Sequence, residues 1–244
     1  MNAERRDVVD GYWAEALGCP RETLRSEGVS FVTGDVGLVE VIAHGDSTVV
    51  SVAPDRPDSV RDALSGLDPA DLVVPDVLTE RFATVDVALD EVLGPAFLGY
   101  TDDSSLSVVE STPAPGEQTT RLLTEDDGPA YDALRAACSD DAWSDGGSSF
   151  VPGRSVGRFV GSELVALAGY EVWDDTLAHV AVVTHPEHRN AGHAQAVVSA
   201  IARDALDAGL VPQYRTLEAW PWSVQVATKV GFERWGTSVL VRLE

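Results

Sequence analysis

The sequence predicts a mixed α/β fold in which a largely antiparallel sheet is flanked by helices. Alternating apolar runs on either side of short glycine turns predict β-hairpins. A nearly continuous apolar run over 177–183 predicts a central strand. Apolar residues at helical spacing predict amphipathic helices between the strands. In the second half these elements follow the order helix, three strands, helix, strand, helix, strand, which is typical of a covered sheet.

The first half predicts a smaller α/β domain, residues 1–111, of unknown role. Its predicted elements are a helix at 6–17, a hairpin at 37–52, a short helix at 59–67, one or two helices at 75–93 and a strand at 106–111. Residues 112–119 (TPAPGEQT) are rich in proline, glycine and polar side chains, which indicates a linker. A surface loop within one domain would have the same composition.

Residues 120–244 form the second predicted domain. The Thr-x-x-Asp pattern at Thr124 and Asp127 predicts the start of a helix that runs to residue 137. The later predicted elements are a polar loop or broken helix at 139–149, a hairpin at 156–173, a strand at 177–183, a helix at 191–208, a strand at 213–219, a helix at 223–230 and a strand at 239–243.

The charge of the chain excludes some classes of partner. Forty of the 244 residues are acidic and 17 are basic, a formal net charge of −23. Acidic residues spread along a chain are typical of a protein that stays hydrated in high salt, so we expect a halophilic, cytoplasmic protein. It lacks the clustered Lys and Arg of a nucleic-acid interface. No apolar run approaches the roughly 18 residues of a membrane helix, so we expect no membrane partner.

One segment, residues 182–194, combines features of an anion-binding site. It joins the central strand to a helix through a loop of the form Arg-x-x-Gly-x-Ala, filled by Arg189, Gly192 and Ala194. Small residues let a backbone approach a ligand, and the N–H groups at a helix start favour an anion such as a pyrophosphate. From 176 to 203 the only acid is Glu187. Strands and buried helix faces contain few acidic residues in any protein, but this does not explain why the loop also contains so few.

These residues resemble motif A of the GCN5-related N-acetyltransferase (GNAT) superfamily, whose pattern is Arg/Gln-x-x-Gly-x-Gly/Ala. The preceding Val-x-His-Pro-Glu-x-Arg, residues 183–189, is also typical of that family. Residues 220–232 resemble motif B, and the hairpin at 158–170 resembles the central strands of the family. The resemblance covers 119–244 and implies a GNAT-type sheet. Some family members carry a degenerate second copy of the fold, which the first half permits, and the charge suggests a haloarchaeal member.

The resemblance implies an acyl-CoA-dependent N-acyltransferase that transfers acetyl from acetyl-CoA to a small-molecule or peptide amine by direct attack. It implies acetyl-CoA as co-substrate and no metal. The open alternative is a non-catalytic acyl-CoA-binding or regulatory module. A homodimer is compatible with the sequence, which does not determine the oligomeric state.

By the same resemblance, the amides of Val183 and its strand would bind the pantetheine arm, and those from Arg189 to Ala194 would bind the pyrophosphate. A bulge in this strand would splay it from the next one and open room for the thioester. The implied cofactor-binding residues are Val182, Val183, Thr184, Arg189, Asn190, Ala191, Gly192, His193, Ala194 and Ser223.

The general acid is not evident, because the chain departs from the family pattern in motif B. Family members often have Asn where this chain has Trp220, and many have a Tyr acid where it has Ala227. Ser223 and Tyr214 are the remaining candidates. Ser223 could equally be a helix N-cap, and strand alternation could bury Tyr214.

The candidates for the general base are His179, Glu171 and Glu218. Histidine is the side chain best suited to exchanging a proton near neutral pH. A buried structural histidine, solvated carboxylates and a water chain in place of a dedicated base remain open as alternatives.

The histidines of the loop also permit a metal site, which the sequence argues against. His185 and His188 have the spacing His-x-x-His, and His193 follows. However, Pro186 breaks any helix there, and no Cys or paired Asp completes a ligand set. The sequence therefore predicts no bound metal.

Overall fold

The computed structural model describes residues 1–34, 38–54, 58–85, 88–108 and 118–243. Its helices are α1 (Ala3–Leu17), α2 (Asp58–Leu64), α3 (Pro75–Phe82), α4 (Gly128–Ala137), α5 (Asp140–Gly146), α6 (His193–Asp207) and α7 (Pro221–Val230). Its strands are β1 (Gly28–Thr33), β2 (Val39–His44), β3 (Ser47–Val52), β4 (Leu89–Tyr100), β5 (Gln118–Leu122), β6 (Val156–Val160), β7 (Glu163–Trp173), β8 (Leu177–Thr184), β9 (Val211–Leu217) and β10 (Glu233–Leu243). The described part of the chain contains no helix with the length and hydrophobicity needed to span a membrane.

The chain divides into two compact units that are not continuous in sequence. The N-terminal unit contains residues 2–99, 215–224 and 234–244, and the C-terminal unit contains residue 1 together with 100–214 and 225–233. The sequence did not predict that segments after residue 214 would alternate between the units. The predicted linker at 112–119 falls mostly outside the described residues, so that boundary remains a prediction.

The N-terminal unit is built on the strand order β1-β3-β2-β10-β4. The predicted hairpin is confirmed as β2 and β3, and β10 pairs with β2 in antiparallel register. One face of these strands is a row of valines that packs against α2 and α3 around Leu64 and Phe82. This alternation of apolar side chains onto one face provides the unit with its core.

Two predictions for residues 1–111 differ from the structure. The helix expected over 75–93 ends at Phe82 and is followed by strand β4. Residues 106–108 of the strand expected at 106–111 form no strand, and residues 109–111 lie outside the described residues. The apolar spacing of the residues after Phe82 fits both a helical and an extended period, so packing in the folded chain decides which structure forms. Gly94 has a left-handed φ of 126° and is followed by Pro95, and neither residue suits a helix interior.

The C-terminal unit confirms the predicted mixed, largely antiparallel sheet. Strands β5, β6, β7 and β8 pair antiparallel in sequence order, and β9 joins β8 in parallel. Leu167 and Val183 are cross-strand partners on the face covered by α4. Tyr170 lies on the opposite face, where its hydroxyl donates to Asp204 of α6 (3.2 Å). Helices therefore cover both faces, as in a layered α/β fold.

A 3₁₀ turn at Glu125–Asp127, directly before α4, confirms the predicted capping box. The backbone N–H of Thr124 donates to Asp127 Oδ2 (2.7 Å), and the reciprocal bond is also present. Arg121 donates to both carboxylate oxygens of Asp127, at 2.7 and 2.6 Å. The Arg121 guanidinium and the Thr124 donors hold the pKa of Asp127 well below its usual range. The motif thus ties β5 to the first turn of α4.

We expect Asp127→Asn to lower the free energy of unfolding by about 1–2 kcal/mol at neutral pH. Because the folded-state pKa is depressed, the stabilisation is present above the unfolded carboxyl pKa of about 3.9 and is lost as the pH falls through the folded value. Urea unfolding of both proteins, repeated at decreasing pH, should show the difference shrinking below about pH 4. Asp126→Asn, at an exposed neighbouring site, is the control. A difference that does not change with pH would contradict the prediction.

Candidate active site

The central strand β8 is paired differently on its two edges. It pairs with β7 along its whole length, from Leu177 to Thr184. With β9, the described residues pair only over Leu177, Ala178 and His179. Residues 180–184 therefore extend past the last pair with β9. An unpaired strand edge can bind another extended chain through its backbone groups, so this stretch can accept a peptide-like ligand.

The predicted splay is thus present, but a bulge in β8 does not cause it. The register between β7 and β8 is regular from Ala166↔Thr184 to Trp173↔Leu177. A register irregularity lies instead between β6 and β7, where β7 has one extra residue opposite Arg158 and Phe159. The opening begins where the described β8–β9 pairing ends, at His179↔Gln213.

The backbone amides of β8 alternate in direction, and this corrects one expectation. The N–H of His185 donates to the carbonyl of Val165 (2.8 Å), which fixes the phase of the ladder. In an antiparallel pair, alternate residues bond to the same partner strand, so the N–H of Val183 faces Leu167. Val183 therefore does not offer a free amide. The N–H groups of Val182 and Thr184 face the open edge.

The end of α5 lies against this open edge, at Gly146. A Cβ at Gly146 would collide with the carbonyl oxygen of Val182, so the close approach requires glycine. The sequence reasoning missed this contact. The sequence feature that could have indicated this contact is the pair Gly146 and Gly147, which directly follows an acidic stretch.

The loop after β8 turns tightly into the exposed start of α6. Asn190 and Gly192 are left-handed, with φ of 63° and 83°, and Gly192 is the N-cap of α6. In the described structure no side chain caps this helix. The first N–H groups of a helix have no intrahelical acceptor, and the helix dipole adds positive potential there. Because Arg189, Asn190, Ala191 and Gly192 are exposed, the N-terminus of α6 is accessible to an anion.

His193, the first residue of α6, points inwards. Its side chain is buried, and burial, followed by the charges of Arg158 and His188, lowers its pKa. Arg158 is itself buried and donates to Thr120 Oγ1 (2.9 Å) and Gln118 Oε1 (2.6 Å). A buried guanidinium close to His193 adds to the positive potential at the start of α6.

His179 is oriented by a hydrogen-bonded chain. Nε2 of Gln213 donates to the hydroxyl of Tyr100 (2.6 Å), so the amide oxygen of Gln213 faces His179. That oxygen lies 3.0 Å from Nδ1 of His179 and accepts its proton. The ring also stacks on Trp173, with centroids 4.2 Å apart. The neutral ring therefore carries its lone pair on Nε2, as a base would require.

The structure brings Glu171 close to His179, but it does not bring Tyr214 there. Glu171 is the cross-strand partner of His179 and is exposed, so the two candidate bases share one face of the sheet. Tyr214 is buried and packs edge-on against Phe232 (5.5 Å). As the neighbour of Gln213 on β9, it points to the opposite face. Sequence reasoning missed Gln213, whose signal was a lone amide next to the apolar residues at the start of β9.

The other candidates lie in the segment 215–224 of the N-terminal unit. Ser223 is the third residue of α7, which begins at Pro221, so Ser223 is not the helix N-cap that the sequence left open as an alternative. Arg234 donates from both Nη atoms to the carboxylate of Glu218, which weakens the case for Glu218 as a base. Ala227 is fully buried and offers no acid.

About a third of the chain matches one family model. Residues 153–237 match the family model for GNAT acetyltransferases. No curated protein gives a significant match. A structure from Novosphingobium aromaticivorans that bears the GNAT family name is 22% identical and covers 64% of this chain and 66% of its own, with a TM-score of 0.46.

Two further solved structures are similar. The GCN5-related N-acetyltransferase from Kribbella flavida is 19% identical over 69% of this chain and 62% of its own, with a TM-score of 0.48. The GNAT-family acetyltransferase from Colwellia psychrerythraea is 11% identical over 80% and 76%, with a TM-score of 0.50. The chain spans less than two thirds of the Novosphingobium and Kribbella proteins. The Colwellia match supports the fold alone.

The matched residues 153–237 contain the open edge of β8, the loop at Gly192 and the whole of α6. This segment is therefore the part of the chain that is similar to GNAT acetyltransferases.

Proposed function

We propose that the chain is an acyl-CoA-dependent N-acyltransferase that transfers acetyl from acetyl-CoA to an amine. The observation that carries the proposal is the open edge of β8 followed directly by the uncapped N-terminus of α6. An extended, amide-containing arm that ends in a diphosphate matches this succession of backbone donors and anion site. The acceptor would be a small-molecule or peptide amine, and the protein would act in a salt-rich cytoplasm.

The residues that would bind acetyl-CoA form two groups, one for the pantetheine arm and one for the pyrophosphate. The N–H groups of Val182 and Thr184 would bond to the pantetheine arm along the open edge. The amides from Arg189 to Ala194 would hold the pyrophosphate, and the Arg189 guanidinium would add a charge-assisted contact.

His179 is the base we propose for the transfer. The amine nitrogen attacks the thioester carbonyl carbon, the C–S bond breaks, and the sulfur leaves as a thiolate that must gain a proton. Nε2 of His179 would accept the proton lost by the amine, while Gln213 keeps the opposite nitrogen protonated. Glu171, beside it, is the second candidate. Tyr214 faces away from His179 and is buried, so Ser223 is the candidate that stays for the acid.

The competing function is a non-catalytic acyl-CoA-binding module. It is favoured by the buried Ala227, which stands where many family members have a tyrosine acid. Turnover separates the two functions, because both require binding but only the enzyme releases a free thiol.

We expect free thiol to appear when the chain is given acetyl-CoA and a panel of primary amines in concentrated KCl. A thiol reagent follows the release, with reactions lacking amine or protein as controls. Calorimetric titration of acetyl-CoA runs in parallel. Binding without amine-dependent release would favour the non-catalytic module, and an absence of binding would contradict both functions.

A further inference from the structure

A second cluster of polar side chains lies outside the proposed transfer site. It consists of Glu163, His185 and His188, whose potential ligand atoms all lie within 4.8 Å of one another. Nε2 of His188 is 3.4 Å from Glu163 Oε2, and Nε2 of His185 is 3.9 Å from Oε1. Both histidines are half-buried, whereas Glu163 is exposed.

The fold explains why these residues meet. Glu163 is the first residue of β7, and His185 directly follows β8. The bond from the N–H of His185 to Val165 continues the ladder between the two strands. Glu163 and His185 therefore lie at adjoining ends of the two paired strands, where Nε2 of His185 comes within 3.9 Å of Glu163 Oε1. A short 3₁₀ turn at Pro186–His188 then brings the second ring to the same carboxylate, with ring centroids 5.3 Å apart.

This arrangement removes the ground on which the sequence argued against a metal. The His-x-x-His pair lacked a nearby third ligand in the sequence, and the structure supplies Glu163 from 22 residues before His185. Two imidazoles and one carboxylate, with a position left for water, are a ligand set that zinc accepts. Separations of 3.4–3.9 Å between donor atoms need only small side-chain movements to reach Zn–N and Zn–O bonds of about 2.0–2.2 Å.

Metal binding would move the proton of the neutral His185 ring from Nε2 to Nδ1. In the described structure the N–H of Glu187 donates to Nδ1 of His185 (3.2 Å), which places the proton of the neutral ring on Nε2. A metal at Nε2 requires the lone pair there, so the proton must move to Nδ1 and the bond from Glu187 must be lost. That bond is long and lies in an exposed turn, so a metal ion can displace it.

We propose that Glu163, His185 and His188 form a binding site for a divalent transition-metal ion of the zinc type. The ion would link the start of β7 to the loop that leads into Arg189. This proposal does not depend on the proposed acyl transfer, because metal binding is measured without coenzyme A.

The test is calorimetric titration of zinc chloride into the full chain after treatment with a chelator. Excess magnesium is present throughout to occupy the oxygen-only sites of this acidic surface. We expect one equivalent to bind and to raise the melting temperature. His188→Ala and Glu163→Gln should each weaken binding by more than about tenfold, since even residues that only support metal ligands cost that much when mutated.

Matched controls keep the result specific. Glu187→Gln removes an exposed carboxylate of the same loop that is outside the cluster, and His179→Gln removes a histidine outside it. Both should bind zinc as the wild type does. Circular dichroism and melting without metal establish that each variant folds. Absence of stoichiometric binding by the wild type, or equal affinity in the Glu163 and His188 variants, would overturn the proposal.

Discussion

His179→Gln is expected to lower kcat by about 10²- to 10⁴-fold, the range that general base catalysis contributes. Glutamine has a similar volume and retains a hydrogen-bonding group, but it cannot accept a proton from the attacking amine. The fold and the binding of acetyl-CoA should be preserved, because the open edge of β8 begins one residue later. Steady-state kinetics with a saturating alkylamine, together with calorimetry of acetyl-CoA, measure the two effects.

The same variant distinguishes a base from a structural histidine. A weakly basic amine, such as trifluoroethylamine, reaches the site already deprotonated and needs less help. The defect of His179→Gln should therefore shrink with that acceptor. Glu171→Gln is the matched comparison at the cross-strand position. If Glu171→Gln causes the larger loss, or if His179→Gln is equally impaired with both amines, His179 is not the base.

Arg189→Ala combined with Gly192→Trp is expected to weaken acetyl-CoA binding by at least about 100-fold, equivalent to about 2.7 kcal/mol. Removing the guanidinium deletes a charge-assisted contact with a phosphate. No described atom lies within 4 Å of a Cβ at Gly192, so the indole would occupy the space in front of the first N–H groups of α6. Calorimetric titration in concentrated KCl measures the loss.

A second glycine provides the control for backbone strain. Gly209 has a φ of 84°, against 83° at Gly192, and a Cβ there also meets no described atom within 4 Å. It follows the opposite end of the same helix. Gly209→Trp therefore imposes comparable strain without filling the anion site. If both tryptophan variants lose affinity equally, the loss reflects strain, and the assignment of the loop to the pyrophosphate fails.

Local features were predictable because their chemistry lies within a few residues. The capping box at Thr124 and Asp127 uses a side chain three positions from its partner. The short Arg-x-x-Gly-x-Ala loop and the helix that follows it, found as α6, were likewise read from neighbouring residues. Apolar alternation likewise identified the β6–β7 hairpin and β8, because each strand must bury one face.

Other errors arose where two local solutions were close in energy. The first residues of β4, 89–93, fit helical and extended periods alike, and pairing within the sheet selected the strand. The helix α7 began at Pro221 instead of Ser223, since proline is well suited to the first turn of a helix. The direction of the Val183 amide depended on the pairing phase of β7 and β8, which a single strand does not contain.

The sequence by itself determined the mixed α/β class, the acidic surface and the loop that can hold an anion, because composition and short-range spacing are local properties. Only the tertiary structure decided that Gln213 orients His179, that Glu163 reaches His185 and His188, and that β8 parts from β9 after residue 179. These features depend on pairs of residues distant in the chain. Strand register and packing bring such residues together, and the spacing of residues along one strand does not specify its partner.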